Sequence, residues 1–181
     1  MVENTKNKLR TLLSILTIGT RADCRTAKKG IEQFWRHDSK AFQSGAEVAL
    51  EFLPKFDRIE NVVNQEALIS GLSIFFLTLA DNHFEILKEF TLKVIQHKNG
   101  HVREAIRKTA EWLYCSLTSR MDPFVFPEGK KSPDKEKTER TRAVMQYTTY
   151  INDIEALIEK YDIENENVEY IDEMKPSVHK S

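Results

Sequence analysis

Apolar residues recur at intervals of three and four along most of this chain, the spacing of helices that each bury one face. Leu9, Leu12, Leu13 and Leu16 share one side of a helix predicted over 5–18, and Gly19 offers its stop. A second stripe, Cys24, Ala27, Ile31, Phe34 and Trp35, starts behind Asp23, a good N-cap residue. Phe42, Ala46, Ala49 and Leu53 mark a third helix from about Ser39, ended near Pro54. Over 65–80 the pattern changes. Leu68, Ile69, Leu72, Ile74, Phe75, Phe76, Leu77 and Leu79 leave no polar face, so this fourth helix belongs in the interior, covered by neighbours. Asp81 or Asn82 caps a fifth helix that runs to about His97 and presents Phe84, Leu87, Phe90, Val94 and Ile95. Gly100 breaks the chain, and a sixth helix carries Val102, Ile106, Ala110, Leu113 and Leu117.

Pro123, Pro127 and Gly129 predict a loop over 121–133, with Phe124, Val125 and Phe126 pinning it to the body. Ser132 followed by Pro133 suits a cap and a first helical position. A long helix follows over 134–162. Its Val144, Tyr147, Ile151, Ile154, Ile158 and Tyr161 form a heptad seam. Packing of this seam on the preceding helices is the reading preferred; a homodimer through the seam is the alternative. Residues 163–181 read as an acidic, frayed tail. Strand signals are scarce: the one Asn-Gly pair, Asn99–Gly100, sits between two helical patterns. The expected class is all-α.

The helices also repeat. Leu9, Leu12, Leu13 and Leu16 fall on Ala46, Ala49, Leu50 and Leu53 at an offset of 37. Gly30-Ile31 and Phe34-Trp35 fall on Gly71-Leu72 and Phe75-Phe76 at an offset of 41. Glu66-Ala67-Leu68 falls on Glu104-Ala105-Ile106 at 38. Such periods suit two-helix solenoid units, which bury their flanks only by stacking. One segment is more specific. Asn99-Gly100-His101-Val102-Arg103-Glu104-Ala105-Ile106, followed by Ala110 and Leu113, resembles the opening of the second helix of a HEAT repeat. The resemblance covers about 82–117. It implies a right-handed α-α superhelix of about three helix pairs over 1–120, closed by the long C-terminal helix. It also implies that Arg103 bonds an acidic turn residue, Asp81 or Asp57. The family usually has Asp where this chain has Asn99, and Gln65-Glu66 stands where an earlier pair would carry Val-Arg.

Composition narrows the function. With 27 basic and 28 acidic side chains, the net charge of −1 argues against a strongly cationic nucleic-acid binder. The charge is skewed. Residues 1–120 hold 18 basic and 14 acidic side chains, and residues 121–181 hold 9 and 14. Cys24 and Cys115 make no disulfide framework or zinc cluster and read as buried small hydrophobes. His97 and His101 flank a helix junction and read as solvated turn residues rather than paired ligands. The sequence carries no phosphate-binding glycine loop, no G-x-S-x-G elbow and no Glu-x-x-His pair. The expectation is therefore a non-enzyme without cofactor or metal. The N-terminal stretch lacks the pattern of a signal peptide, and the uncharged run 67–80 is short of the roughly 20 residues of a bilayer span. A cytoplasmic protein without membrane contact follows as the expectation.

The basic residues supply the binding candidates. Arg25, Lys28 and Lys29 lie with Arg21 near the start of the second helix, and Arg103, Arg107 and Lys108 near the start of the sixth. Second helices lining the inside of a curved stack would bring them to one groove. The reading preferred is a non-catalytic protein-binding or scaffold module whose partner is another protein. The alternative is nucleic-acid binding in a basic concave groove, a kind of surface that HEAT-like DNA glycosylases use. Glu104, Glu111 and the acidic C-terminal region weigh against that alternative.

Overall fold

The computed structural model describes residues 2–35, 39–125 and 134–166, and all regular structure among them is helical. The elements are α1 (Val2–Ile18), α2 (Arg21–Trp35), α3 (Ser39–Phe52), a 3₁₀ segment (Leu53–Arg58), α4 (Val62–Leu72), a 3₁₀ turn (Ser73–Phe75), α5 (Phe76–Ile95), α6 (Gly100–Val125) and α7 (Asp134–Glu166). Pro54 sits in the first turn of the 3₁₀ segment after α3, so the chain tightens there before it leaves the helix.

Several expectations are corrected. No open turn separates helices at 81–82. The chain instead tightens at Ser73–Phe75 and kinks at His83 (φ −143°, ψ 41°) inside α5. Asn82 does not cap a helix start; its side chain donates to the Thr78 carbonyl at 3.0 Å. Leu79, Ala80 and Phe84 are buried on both sides of the kink, so the core holds the chain through the bend. The second correction is at the end of α6, which continues through Val125. Pro123 removes one helical donor there, and the helix runs two residues past it. The rest of the expected loop and the Ser132–Pro133 cap lie outside the described residues, as does the tail from 167 on. Third, Cys115 is exposed, while Cys24 is buried. Cys115 lies with Trp112, 48 % exposed, off the buried stripe of Val102, Ile106, Ala110, Leu113 and Leu117.

The apolar faces meet in one continuous core. α1 packs on α2, α3 and α4; α4 packs on α1, α2 and α6; α6 packs on α4, α5 and α7. Thus α2, α4 and α6 are successive neighbours, and so are α1, α3 and α5. The interior place expected for the apolar fourth helix holds: Leu68, Ile69 and Leu72 are fully buried. Gly71 lets α4 approach α1 and α2. A Cβ there would press on Leu16 Cδ1, with Ile31 Cδ1 at 3.5 Å and Leu13 Cδ2 at 3.6 Å. By length and composition the run Val62–Ile95 would also cross a membrane, a test that core helices pass as well; half of its most apolar window is buried. α7 lies on α6 and α5, burying Ile154, Leu157 and Tyr161 and stacking Tyr150 on Phe84 at 4.4 Å between ring centroids. The seam residues from Tyr147 to Tyr161 therefore pack within the chain.

The starts of α2, α4 and α6 share one construction. Before α2, Thr20 and Asp23 form a reciprocal capping box. Asp23 N donates to Thr20 Oγ1 at 3.2 Å, and Thr20 N donates to Asp23 Oδ2 at 3.0 Å. The capping residue is thus Thr20, not Asp23. Asn61 accepts from Val63 N at 2.8 Å, and Asn99 accepts from His101 N at 2.9 Å. Four residues after each cap, a side chain turns back under the incoming chain. Cys24 Sγ lies 3.7 Å from the Ile15 and Gly19 carbonyls. Gln65 donates to the Ile59 carbonyl at 2.8 Å. Arg103 donates to the His97 carbonyl at 2.6 Å and the Lys98 carbonyl at 3.2 Å. The steps from Thr20 to Asn61 to Asn99 are the 41 and 38 of the sequence repeat. Arg103, 7 % exposed, therefore clasps main-chain oxygens rather than Asp57 or Asp81. Asp57 pairs with Lys93 instead. Asn64 adds a tie between units, donating to the carbonyls of Leu16 (3.0 Å) and Gly19 (2.9 Å) at the end of α1. Those carbonyls, at the open end of α1, otherwise have only the weak Cys24 thiol as a donor.

Candidate functional site

The first turns of α2, α4 and α6 open onto a groove of about 440 Å³. Arg21, Arg25 and Lys28 form the wall on α2, Glu66 and Ser70 the floor on α4, and His101, Glu104 and Lys108 the wall on α6. The repeat explains the alignment. The fourth residue after each cap turns inward, and the fifth, Arg25, Glu66 or Glu104, comes round to the groove.

The two walls differ electrically. Arg21, Arg25 and Lys28 make no ion pair or hydrogen bond among the described residues. On the opposite wall the charges answer each other. Glu104 pairs with Lys108 at 3.3 Å and with Arg107 at 3.2 Å, and Tyr161 donates to it at 3.3 Å. Burial opposes ionisation of Glu104 and is the largest single influence on it. The hydrogen bonds from Lys108 and Arg107 together outweigh burial, so its carboxyl titrates below the ordinary range. At the back of the groove, burial raises the Cys24 thiol above its ordinary value, and the charge of Asp23 adds to this. A protonated, packed thiol is a poor nucleophile.

Of the six candidate binding residues, Arg25, Lys28 and Lys108 line the groove. Lys29 is exposed on α2 but outside the lining. Arg107 turns towards α7, bonding Glu104 and Glu111 and lying over the Tyr161 ring. Arg103 is the buried clasp. Its charge is answered by carbonyls, and it does not reach the groove. Glu66 and His101 are lining residues that the runs of basic charge do not reveal; their signal is their distance from the caps. The two histidines at the α5–α6 junction turn apart. His97 is half-buried with its ring edge-on to Phe56, its Nδ1 accepts from Asn99 N at 3.1 Å, and burial lowers its pKa. His101 faces the groove. Among the described residues, no group of three or more His, Cys, Asp or Glu side chains is placed to hold a metal ion.

The arrangement suits a ligand that brings anionic groups to one wall and tolerates carboxylates on the floor. No known protein family, curated protein or solved structure matches the chain.

Proposed function

We propose that this chain is a HEAT-like, right-handed helical stack that binds an acidic segment of another protein in the groove across α2, α4 and α6. The superhelical reading is supported by the two rows of successive neighbours and by the cap-and-clasp construction that recurs at 41 and 38 residues. The binding reading is carried by one observation: three cations without partners among the described residues, Arg21, Arg25 and Lys28, face a floor and far wall that hold Glu66 and Glu104. A nucleic-acid backbone is anionic along its whole length and gains affinity by neutralising successive phosphates. The carboxylates of Glu66 and Glu104 oppose that in the middle of the groove. A peptide can set acidic side chains against α2 and neutral or donor groups over α4 and α6, so complementarity favours protein. The start of α2, where Arg21 adds its charge to the positive end of the helix dipole, is what favours a nucleic acid as the second reading.

Fluorescence anisotropy separates the two. A labelled glutamate-rich peptide and a labelled DNA duplex are titrated with the chain at about 0.15 M salt. The peptide is expected to bind, and Arg25→Glu with Lys28→Glu to weaken it at least about tenfold. Tighter binding of the duplex, or peptide binding indifferent to the charge reversal, overturns the proposal.

A further inference from the structure

We propose that the acidic segment bound in the groove also carries an aromatic residue, and that Trp112 on α6 is the surface on which that residue rests. This deepens the reading of the groove as a site for acidic protein segments, and rests on it. His101, Ala105 and Lys108 line the groove from successive turns of one face of α6. The next residue of that series is Trp112, four positions past Lys108 and about 6 Å further along the helix. Helical side chains lean towards the N-terminus of their helix, which tips the indole towards Lys108 and the end of the groove. Trp112 is 48 % exposed, and its indole N–H makes no hydrogen bond among the described residues. Ile18, Ile86 and Met145 are exposed as well, but they lie on α1, α5 and α7, outside the three helices of the groove. α7 covers the other flank of α6, where Arg107 lies over Tyr161 and Tyr114 donates to Glu155 at 2.9 Å.

The floor and the opposite wall change character at the same level. At the offset of 38, Glu66, Ala67 and Ser70 of α4 correspond to Glu104, Ala105 and Lys108 of α6, and Ile74 corresponds to Trp112. Ile74, in the 3₁₀ turn after α4, is half-buried and packed against the core. Past the charged mouth the α6 wall thus offers an indole and the floor an isoleucine. On α2, Glu32 stands one turn past Lys28, is exposed and ends the run of cations. The acids of a bound segment therefore belong at the level of Arg21, Arg25 and Lys28, and the place over Trp112 and Ile74 takes an uncharged ring. Two aromatic rings gain from their mutual geometry in addition to the apolar area they remove from water. With α4 between them, the axes of α2 and α6 lie no more than about 20 Å apart, which about six residues of extended peptide span.

The test uses the full chain and two labelled peptides. The first is a glutamate block flanked on each side, through a short glycine–serine spacer, by phenylalanine, so that either direction of binding suits it. In the control both phenylalanines are serine. At about 0.15 M salt the phenylalanine peptide is expected to bind at least about fivefold more tightly than the control. Trp112→Ala is expected to abolish that gain and to leave the affinity of the control unchanged, which also reports that the variant is folded. Arg25→Glu with Lys28→Glu is expected to weaken both peptides. A second measurement needs no loss of function. In Trp35→Phe the one tryptophan left is Trp112, and its emission is expected to move to the blue with the unlabelled phenylalanine peptide and not with the control. Equal binding of the two peptides, both weakened by the charge reversal, overturns the aromatic anchor and leaves the groove reading standing. So does a gain that survives Trp112→Ala, or an emission that does not move. Failure of both peptides to bind, or binding of both that is indifferent to the charge reversal, overturns the groove reading and the anchor with it.

Discussion

The α1–α3 edge and the α2–α4–α6 groove belong to one packed body of helices and carry the same kinds of charged residue, but they dispose of the charge in opposite ways. At the edge, Lys6 pairs with Glu47. Arg10 bonds Glu51 through Nε at 3.0 Å and Nη2 at 2.8 Å, and its Nη1 reaches Glu3 and Asn7. Both inter-helix pairs span 41 residues, so neighbouring units are stitched position by position. In the groove, Arg21, Arg25 and Lys28 meet no carboxylate within pairing distance among the described residues. Cations with partners hold helices to one another; cations without them raise the potential of an open surface. The difference lies in which groups face each other across the stack, not in how many charges each helix bears.

Edge and groove are two sides of a single packed unit, and Gly71 tests this most severely. It sits where α4 crosses Leu16 of α1 and Ile31 of α2, between the two surfaces. Gly71→Val forces two methyl groups against a fully buried leucine, with an expected loss of about 3 kcal/mol. Urea unfolding followed by circular dichroism measures it. Unchanged stability would mean that α1 and α4 are not in close contact, and the edge and groove would have to be treated as separate bodies.

A smaller effect sharpens the division between structural and binding cations. Arg103→Met leaves the His97 and Lys98 carbonyls without their donor, and about 2 kcal/mol of stability should be lost. Its affinity for the acidic peptide should match that of the unaltered chain under conditions where both are folded. Arg25→Glu should do the reverse, changing stability by less than about 0.5 kcal/mol while weakening binding. If Arg103→Met abolished binding in a chain still fully folded, the site would lie at the α5–α6 junction rather than in the groove.

The same pair of arginines shows what the sequence made legible. The helical stripes, the buried α4 and the offsets of 41 and 38 were readable because apolar periodicity records which face is covered. Arg25 and Arg103 looked alike because a sequence records charge but not the direction of a side chain. The clasp was hidden for a related reason. Cys24, Gln65 and Arg103 share a position and a geometry but no chemistry, so nothing in their residue types marks them as equivalent. At Thr20-x-x-Asp23 the local signal was present, in the form of a capping box, yet Asp23 alone also passes for a cap. At 81–83 the Asp-Asn pair suggested a helix start, but burial of Leu79, Ala80 and Phe84 carried the chain through in a kink. Cys115 broke the expectation that free cysteines are buried because it falls outside the stripe set by its own helix.

The smallest effect comes from acid titration and bears on the edge alone. The hydrogen bond from Arg10 is the main reason that the Glu51 carboxyl titrates below its ordinary 4.5; desolvation works against it. A carboxyl whose pKa is lowered by folding contributes stability that is complete above its unfolded value and lost as pH falls through the folded one. The urea midpoint of the unaltered chain should therefore fall as pH is lowered from about 6 to about 3. Glu51→Gln should start lower at the upper pH, lose less across the window and meet the unaltered chain at the acid end. High salt should shrink the gap between them, as for any exposed pair. Arg25→Gln should run parallel to the unaltered chain throughout, because among the described residues no carboxylate lies within pairing distance of Arg25. A flattened acid limb in Arg25→Gln like that of Glu51→Gln would show that a groove cation has a carboxylate partner after all, and the contrast between the two surfaces would fail at its root.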